Sequence, residues 1–417
     1  MRTIFTAFAP NLELDDVKLS LRLIFNPWDW KDESPVRELE KAMAAKCEVS
    51  HGVAFESGRT ATVAALKALP IKEGDEVLLQ AFTCVAVPDA ISWAHMKPRF
   101  VDCDPQTLTI SIEDLKSKIT PRTRGLIIQY TFGRSPNWKE ILKIAKKHDL
   151  WIIEDCAHVI GGRYEGKAYG SIGHAAIFSF GRDKAASSVF GGVVVTNDDL
   201  VASNLRSVQH NYDQPSPSWI FQQLLHGPLI WIVKQTYDAV IGRIVWSIIK
   251  RLRILSRSVL SQEKLGKPPG FAFHRFPGAL AILALAQLKK IDRFNDHRLA
   301  INDLYQEKLL GSSVEQLAPL QEGEIPLRFV IKSNMREEIM TKAKAEKIYL
   351  GDWYSNAIDP PGVDYDFFMY KPGECPNAEE ASRKIFNLPL DIHIDRQDVE
   401  RIVSLVQPIN EHSGSNQ

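Results

Sequence analysis

Phe178-Ser179-Phe180-Gly181-Arg182-Asp183-Lys184, followed by Phe190-Gly191-Gly192, sets a lysine just past an apolar run, with a hydroxyl before it and glycines around it. The run 175–180 predicts a buried strand, because it is short, apolar and bounded by glycine. A lysine leaving such a strand suits covalent capture of a carbonyl group, and a plain surface charge fits the same residues. Upstream stands Ile152-Ile153-Glu154-Asp155-Cys156-Ala157-His158, a second apolar run that ends in acid.

Working outward, further apolar runs at 76–82, 99–103, 125–130 and 192–196 alternate with helical patterns at 59–69, 87–94, 112–118 and 138–147. Strands that are apolar throughout, separated by helices, predict an α/β fold with a mostly parallel sheet covered on both faces. In such sheets ligands sit beyond the carboxyl ends of the strands, where Asp155 and Ser179 fall.

The chain has 417 residues, 45% hydrophobic and 24% charged, enough for a large core in two domains. Its 51 basic and 51 acidic residues cancel, so no bulk field recruits nucleic acid. Five scattered cysteines (Cys47, Cys84, Cys103, Cys156, Cys375) show no metal-ligand spacing, and no metal site is expected. The first residues do not read as a signal peptide, which makes the cytoplasm the expected location.

Beyond Asp213 the pattern changes. Residues 214–218 read as a loop, and 219–260 are apolar and basic. Ile241, Ile244, Ile248, Leu252 and Leu255 share one helical face, with Arg243, Lys250, Arg251 and Arg257 mostly off it. Pro228, Lys234, Asp238 and Arg243 interrupt any run of the ~20 apolar residues a membrane span requires. Two readings stay open: peripheral docking on the inner face of the membrane, or an insertion packed on the enzyme or a second copy. A helical pattern then runs from Gly278 towards Leu309. A strand at 327–332 and helices at 335–346 and 396–406 complete a smaller α+β part. The expected domains are 1–295, carrying the insertion 219–260, and 296–417, with a disordered tail after Glu411.

Two further pieces bear on chemistry. Glu56-Ser57-Gly58-Arg59-Thr60-Ala61 precedes a helix, where small residues let backbone N–H groups approach an anion and Arg59 adds a charged donor. A capped helix with a surface arginine fits equally. Phe273-His274-Arg275-Phe276-Pro277-Gly278 leads into the long helical pattern.

Taken together and in this order, these pieces resemble the DegT/DnrJ/StrS family of sugar aminotransferases. The likeness also takes in Ala81-Phe82-Thr83-Cys84, Phe100-Val101-Asp102, Ala286-Gln287-Leu288, Cys375-Pro376-Asn377-Ala378-Glu379 and Leu388-Pro389-Leu390. It implies the aspartate-aminotransferase fold (fold type I of pyridoxal-phosphate enzymes), with a large mostly parallel domain and a small C-terminal one. It implies pyridoxal 5′-phosphate as cofactor, bound covalently at Lys184 with Asp155 at the ring nitrogen. Ser57, Gly58, Arg59 and Ser179 would hold the phosphate, and His158 would lie near the ring hydroxyl. Cys84 stands beside the ring as packing partner or reactive thiol. Arg275 takes the place of an asparagine that reaches the neighbouring subunit's cofactor, which implies a homodimer with a shared site; a salt-bridged arginine at a helix start is the alternative. Tyr130 replaces a frequent histidine and bears on the choice of substrate.

The implied reaction is transamination of a nucleotide-linked keto-sugar, with glutamate as donor by analogy, for polysaccharide, glycan or glycosylated-metabolite synthesis. The lysine itself favours transamination, since relatives that deoxygenate sugars carry histidine there. Alternatives are a pyridoxal-phosphate enzyme acting on a small ketone or amino acid, and a non-catalytic regulator.

Overall fold

The computed structural model describes residues 2–312 and 314–406; the tail expected after Glu411 lies outside them. Seven strands form one sheet in the spatial order His51–Phe55, Gly192–Thr196, Ala175–Ser179, Trp151–Asp155, Thr123–Gln129, Glu76–Gln80, Lys97–Val101. Gly192–Thr196 runs antiparallel to both its neighbours, and every other pairing is parallel.

The strands are apolar on both sides because the sheet divides two cores. Ile152, Ala176 and Val193 join Leu39, Met43 and Leu280 on one face, whereas Ile153, Ile177 and Val194 join Ala61, Val63 and Leu66 on the other. Side chains alternate along a strand, so adjacent residues feed different cores. All six strands expected for this region form, with ends shifted by no more than a few residues. Helix starts carry local caps: Ser57 accepts from Thr60 N, Ser111 from Asp114 N, and Asn137 from Glu140 N.

The C-terminal part builds a three-stranded antiparallel sheet, with Phe329–Lys332 between Glu315–Gln316 and Ile385–Leu388. Helices Arg336–Ala345 and Arg396–Val406 close over it, around Ile331, Phe386 and Ile402. From the other end of the chain, Ile4–Phe5 pairs in parallel with Ile348–Tyr349.

Three expectations need correction. The pattern from Gly278 towards Leu309 is two helices, Gly278–Leu288 and Ile291–Lys308, not one. At the break Lys290 N bonds Gln287 O, and the Lys290 ammonium is held by Glu13, Asp15 and Asp16. In the insertion, the loop expected at 214–218 already starts a helix, Pro217–Leu224, because Ser216 caps it at Trp219 N. His226–Thr236 and Ile241–Arg251 follow, so Leu255 lies past the end of the helix it was assigned to. Both Pro217–Leu224 and His226–Thr236 pack on Leu14–Ile24.

Candidate active site

Strand alternation separates Glu154 from Asp155 at the end of Trp151–Asp155. Glu154 turns away from the site, taking N–H groups from Gly170 at 2.9 Å and from Ile172 and Gly173 at 2.7 Å, with the Tyr130 hydroxyl at 2.6 Å. Asp155 instead lines a cavity of about 490 Å³, and Lys184 lines the same cavity. Tyr130 is fully buried against Glu154 and is not among the lining residues, so its hydroxyl serves the sheet core.

Lys184 and Asp155 sense each other. Burial lowers the Lys184 ammonium from its usual range, with Cys84 and Asp155 opposing the shift. Burial raises the Asp155 carboxyl, opposed by the Ala157 N–H at 3.0 Å and by the Lys184 charge. Lys184 and Asp155 therefore share one cavity in which burial disfavours the charged form of each.

The anion-binding end is built at the start of helix Gly58–Ala68. A Cβ on Gly58 would stand 3.2 Å from both Cβ and Oγ of Ser179, so glycine is what lets the two segments approach. First-turn N–H groups have no partner within their helix, and the positive end of the helix dipole lies with them. Ser57, Gly58 and Ser179 all line the cavity.

Arg59 also lines it, but its guanidinium is engaged elsewhere. It donates to Ser258 O at 2.8 Å and pairs with the fully buried Glu263. Arg182 behaves alike, bonded to the carbonyl and hydroxyl of Ser256. The stretch after helix Ile241–Arg251 is thus a strap across the cavity wall. Nothing in the local sequence pattern of 256–264 announces that role.

His158 accepts from Phe132 N at Nδ1, 3.1 Å, and its Nε2 lies 3.1 Å from the Tyr354 hydroxyl. Burial, and then the charges of Lys184 and Arg328, hold its pKa well below the usual histidine value, so the ring is neutral. It stacks on Trp353 at 5.4 Å, and Lys184 Nζ lies 5.0 Å from the centroid of that same indole. Trp353 and Tyr354 come from the C-terminal part, and the sequence reading missed both. Their only local signal is an aromatic pair soon after the strand Ile348–Tyr349. Cys84 lines the cavity as a thiol whose pKa burial raises, which favours its packing role.

Arg275, like Tyr130, is not brought to this cavity. It donates to Tyr212 O and His210 O, both at 2.9 Å, and pairs with Glu33 at 3.4 Å.

The residues fit a flat phosphorylated aldehyde such as pyridoxal 5′-phosphate. One cavity offers an amine for the aldehyde, a buried carboxylate with a single backbone donor for the ring nitrogen, and a small-residue cradle for the phosphate.

Residues 22–216 and 246–407 match the model of the DegT/DnrJ/EryC1/StrS aminotransferase family. A GDP-perosamine synthase of Escherichia coli O157:H7 is 32% identical over 97% of both chains. A UDP-N-acetyl-3-dehydro-alpha-D-glucosamine 3-aminotransferase of Acidithiobacillus ferrooxidans is 28% identical over 89% of this chain and 87% of its own. Among solved structures, PseC of Helicobacter pylori, an aminotransferase involved in the biosynthesis of pseudoaminic acid, superposes with a TM-score of 0.75. That match has 18% identity and covers 97% of this chain and 98% of PseC.

Proposed function

The chain belongs to the DegT/DnrJ/EryC1/StrS aminotransferase family, and from that premise we propose that Lys184 and Asp155 carry the transamination of a nucleotide-linked keto-sugar, with glutamate as donor, for glycan or glycosylated-metabolite synthesis. As a family member it is a pyridoxal-phosphate-dependent aminotransferase. The observation that carries the residue assignment is the shared cavity of Lys184 and Asp155 with the Ser57–Gly58–Ser179 cradle at its side.

Pyridoxal phosphate, when bound, supplies an electron sink that makes the α-proton of an amino donor removable. Lys184 Nζ would hold the aldehyde carbon and, as a free amine, would take the proton from the donor's α-carbon and deliver it to the carbon that had carried the aldehyde. Its lowered pKa favours the free base that this step needs. The Asp155 carboxylate would keep a proton on the ring nitrogen, and that cation would offset the burial which raises Asp155. Ser57, Gly58 and Ser179 would hold the phosphate, with Arg59 behind them. Neutral His158 and Trp353 orient the ring, and Cys84 packs beside it.

The working form is a homodimer in which Arg275 reaches the partner's cofactor phosphate. Its half-buried place beside Glu33, away from its own cavity, supports this, as do the exposed Phe25 and Trp28 on the segment leading to Glu33. We read residues 1–295 and 296–417 as two domains sharing the helix Ile291–Lys308. No helix among the described residues is long and apolar enough to cross a membrane. Our reading is a cytoplasmic enzyme whose 219–260 insertion touches the inner face of the membrane peripherally.

Purified protein loaded with pyridoxal phosphate and glutamate, offered a panel of nucleotide-linked keto-sugars, is the test. Amino-sugar product, with borohydride fixing the cofactor on Lys184, is the expected result. Amination of small ketones but of no sugar overturns the substrate assignment, and cofactor fixed on another lysine overturns the site. A protein that stays monomeric at full activity ends the shared-site reading.

A further inference from the structure

Helix Ile241–Arg251 presents a stripe that the protein leaves uncovered. Ile241, Ile244, Ile248 and Leu252, at spacings of three and four residues, are between 49% and 66% exposed. The opposite side of the same helix is firmly seated. Gly242 lies so close to the preceding helix that a Cβ there would stand 2.4 Å from Val233 O and 2.6 Å from Tyr237 N. Ile249 is buried, and Trp246 packs edge-on against Phe8 at 4.6 Å. The outward stripe is therefore held in place by packing rather than left by fraying.

Charge identifies what covers it. Between Asp238 and Glu263 the chain carries Arg243, Lys250, Arg251, Arg253 and Arg257 and no acidic residue, although the whole protein balances 51 against 51. Asp238 is itself occupied, bonded to Thr3 and paired with Lys347. Arg243 lies over the Tyr237 ring at 5.4 Å and Lys250 over Trp246 at 5.5 Å, which sets both cations beside the stripe instead of on it. An apolar stripe bordered by cations is the form that lies in the headgroup layer of an acidic bilayer. Eleven residues rise only ~16 Å, about half a bilayer core, so the helix can lie on a membrane and cannot cross it.

A second copy meeting this stripe about a two-fold axis would set the cations beside it against the same cations of its partner. The family model leaves 217–245 unmatched, so the segment that leads into and begins this helix lies outside that match.

We propose that the Ile241–Arg251 helix docks on an anionic phospholipid surface, with Ile241, Ile244, Ile248 and Leu252 in the headgroup layer and the flanking arginines and Lys250 on lipid phosphates. This narrows the peripheral contact of residues 219–260 to one face of one helix, rests on that part of the reading alone, and is independent of the chemistry at Lys184. Docking also bears on the active site. A few residues past the helix, the strap holds Arg182 through Ser256 and Arg59 through Ser258 and Glu263, so the surface that meets lipid is joined directly to the cavity wall.

The test is co-sedimentation of the full chain with vesicles of phosphatidylglycerol and phosphatidylcholine, against phosphatidylcholine alone. Binding to the acidic vesicles that falls with added salt is expected. Ile244→Asp/Ile248→Asp should weaken it about tenfold or more, with oligomeric state, far-UV spectrum and aminotransferase turnover of soluble substrate unchanged. Arg251→Gln/Arg253→Gln should weaken binding to acidic vesicles only. No binding of the intact chain overturns the proposal. Equal binding by the isoleucine variant overturns the helix face while leaving another contact in 219–260. A dimer that falls apart in that variant reassigns the stripe to a subunit contact.

Discussion

The Tyr354 hydroxyl stands 3.1 Å from His158 Nε2, tying the C-terminal part of the chain to the strand end that carries Asp155. Because His158 Nδ1 already accepts from Phe132 N, the neutral ring carries its proton on Nε2 and donates it to Tyr354. Two buried hydrogen bonds thus fix, between them, a tautomer and a contact between the two ends of the site.

Tyr354→Phe leaves the Nε2 proton without its acceptor in a buried place. A loss of about 1–3 kcal/mol in stability is expected, read as a lowered thermal midpoint. His158→Gln should retain more cofactor affinity than His158→Leu, because the amide still accepts from Phe132 N.

Lys184→Ala removes the covalent anchor and the proton carrier together. Turnover should fall by at least the roughly 10²–10⁴-fold that general acid–base catalysis contributes, while the phosphate cradle still binds the cofactor. Stopped turnover with retained cofactor, followed by absorbance and by the loss of borohydride fixation, checks this. Residual activity near that of the unaltered enzyme would exclude Lys184.

Gly58→Ala forces a Cβ to 3.2 Å from Ser179. Crowding of this kind typically costs ~1–3 kcal/mol, and here it falls on the cradle. Weaker binding of pyridoxal phosphate, with little change for unphosphorylated pyridoxal, is the expected pattern. Calorimetric titration of both ligands separates a cradle defect from general unfolding.

Glu263→Ala strands the Arg59 charge in a buried setting. Breaking one side of a buried pair costs about 3–5 kcal/mol. Denaturant unfolding should show most of that loss recovered when Arg59→Met is added, since no charge then remains unpaired. If the single and double variants are equally unstable, Arg59 and Glu263 are not coupled.

Glu56 is fully buried, and burial raises its carboxyl from 4.5 to about 7 despite the hydroxyls of Ser57 and Thr60. The folded chain therefore keeps a proton that the unfolded chain releases. Its contribution is full below about pH 4.5 and is lost as pH rises towards 7. Relative to Glu56→Gln, the natural protein should lose stability on the order of 3 kcal/mol across that window. Chemical unfolding of both proteins at pH 5 and pH 7.5 tests the sign.

Much of the molecule was legible in the order of its residues. Strands such as Trp151–Asp155 and Gly192–Thr196 are short apolar runs between turn signals, and helix Ile112–Lys118 carries its own cap. Those signals are local and survive in one dimension. Those signals set Asp155 and Ser179 at strand ends, where an α/β sheet places its ligands, whereas the roles expected of Lys184, Ser57 and Gly58 came from the likeness to a known family.

Tertiary structure decided the rest. Periodicity separates Glu154 from Asp155 but does not say which one meets the cavity; the loop Gly170–Gly173, by giving Glu154 its donors, does. Trp353, Tyr354 and the strap at 256–264 reach the site only through the paths of long connections, which leave no pattern near Lys184. The break after Leu288 depends on acids at 13–16, and the N-terminal strand Ile4–Phe5 on a partner at Ile348–Tyr349. Composition and spacing report what a segment can bury, whereas the choice among distant partners rests on packing energies that form only when the whole chain has folded.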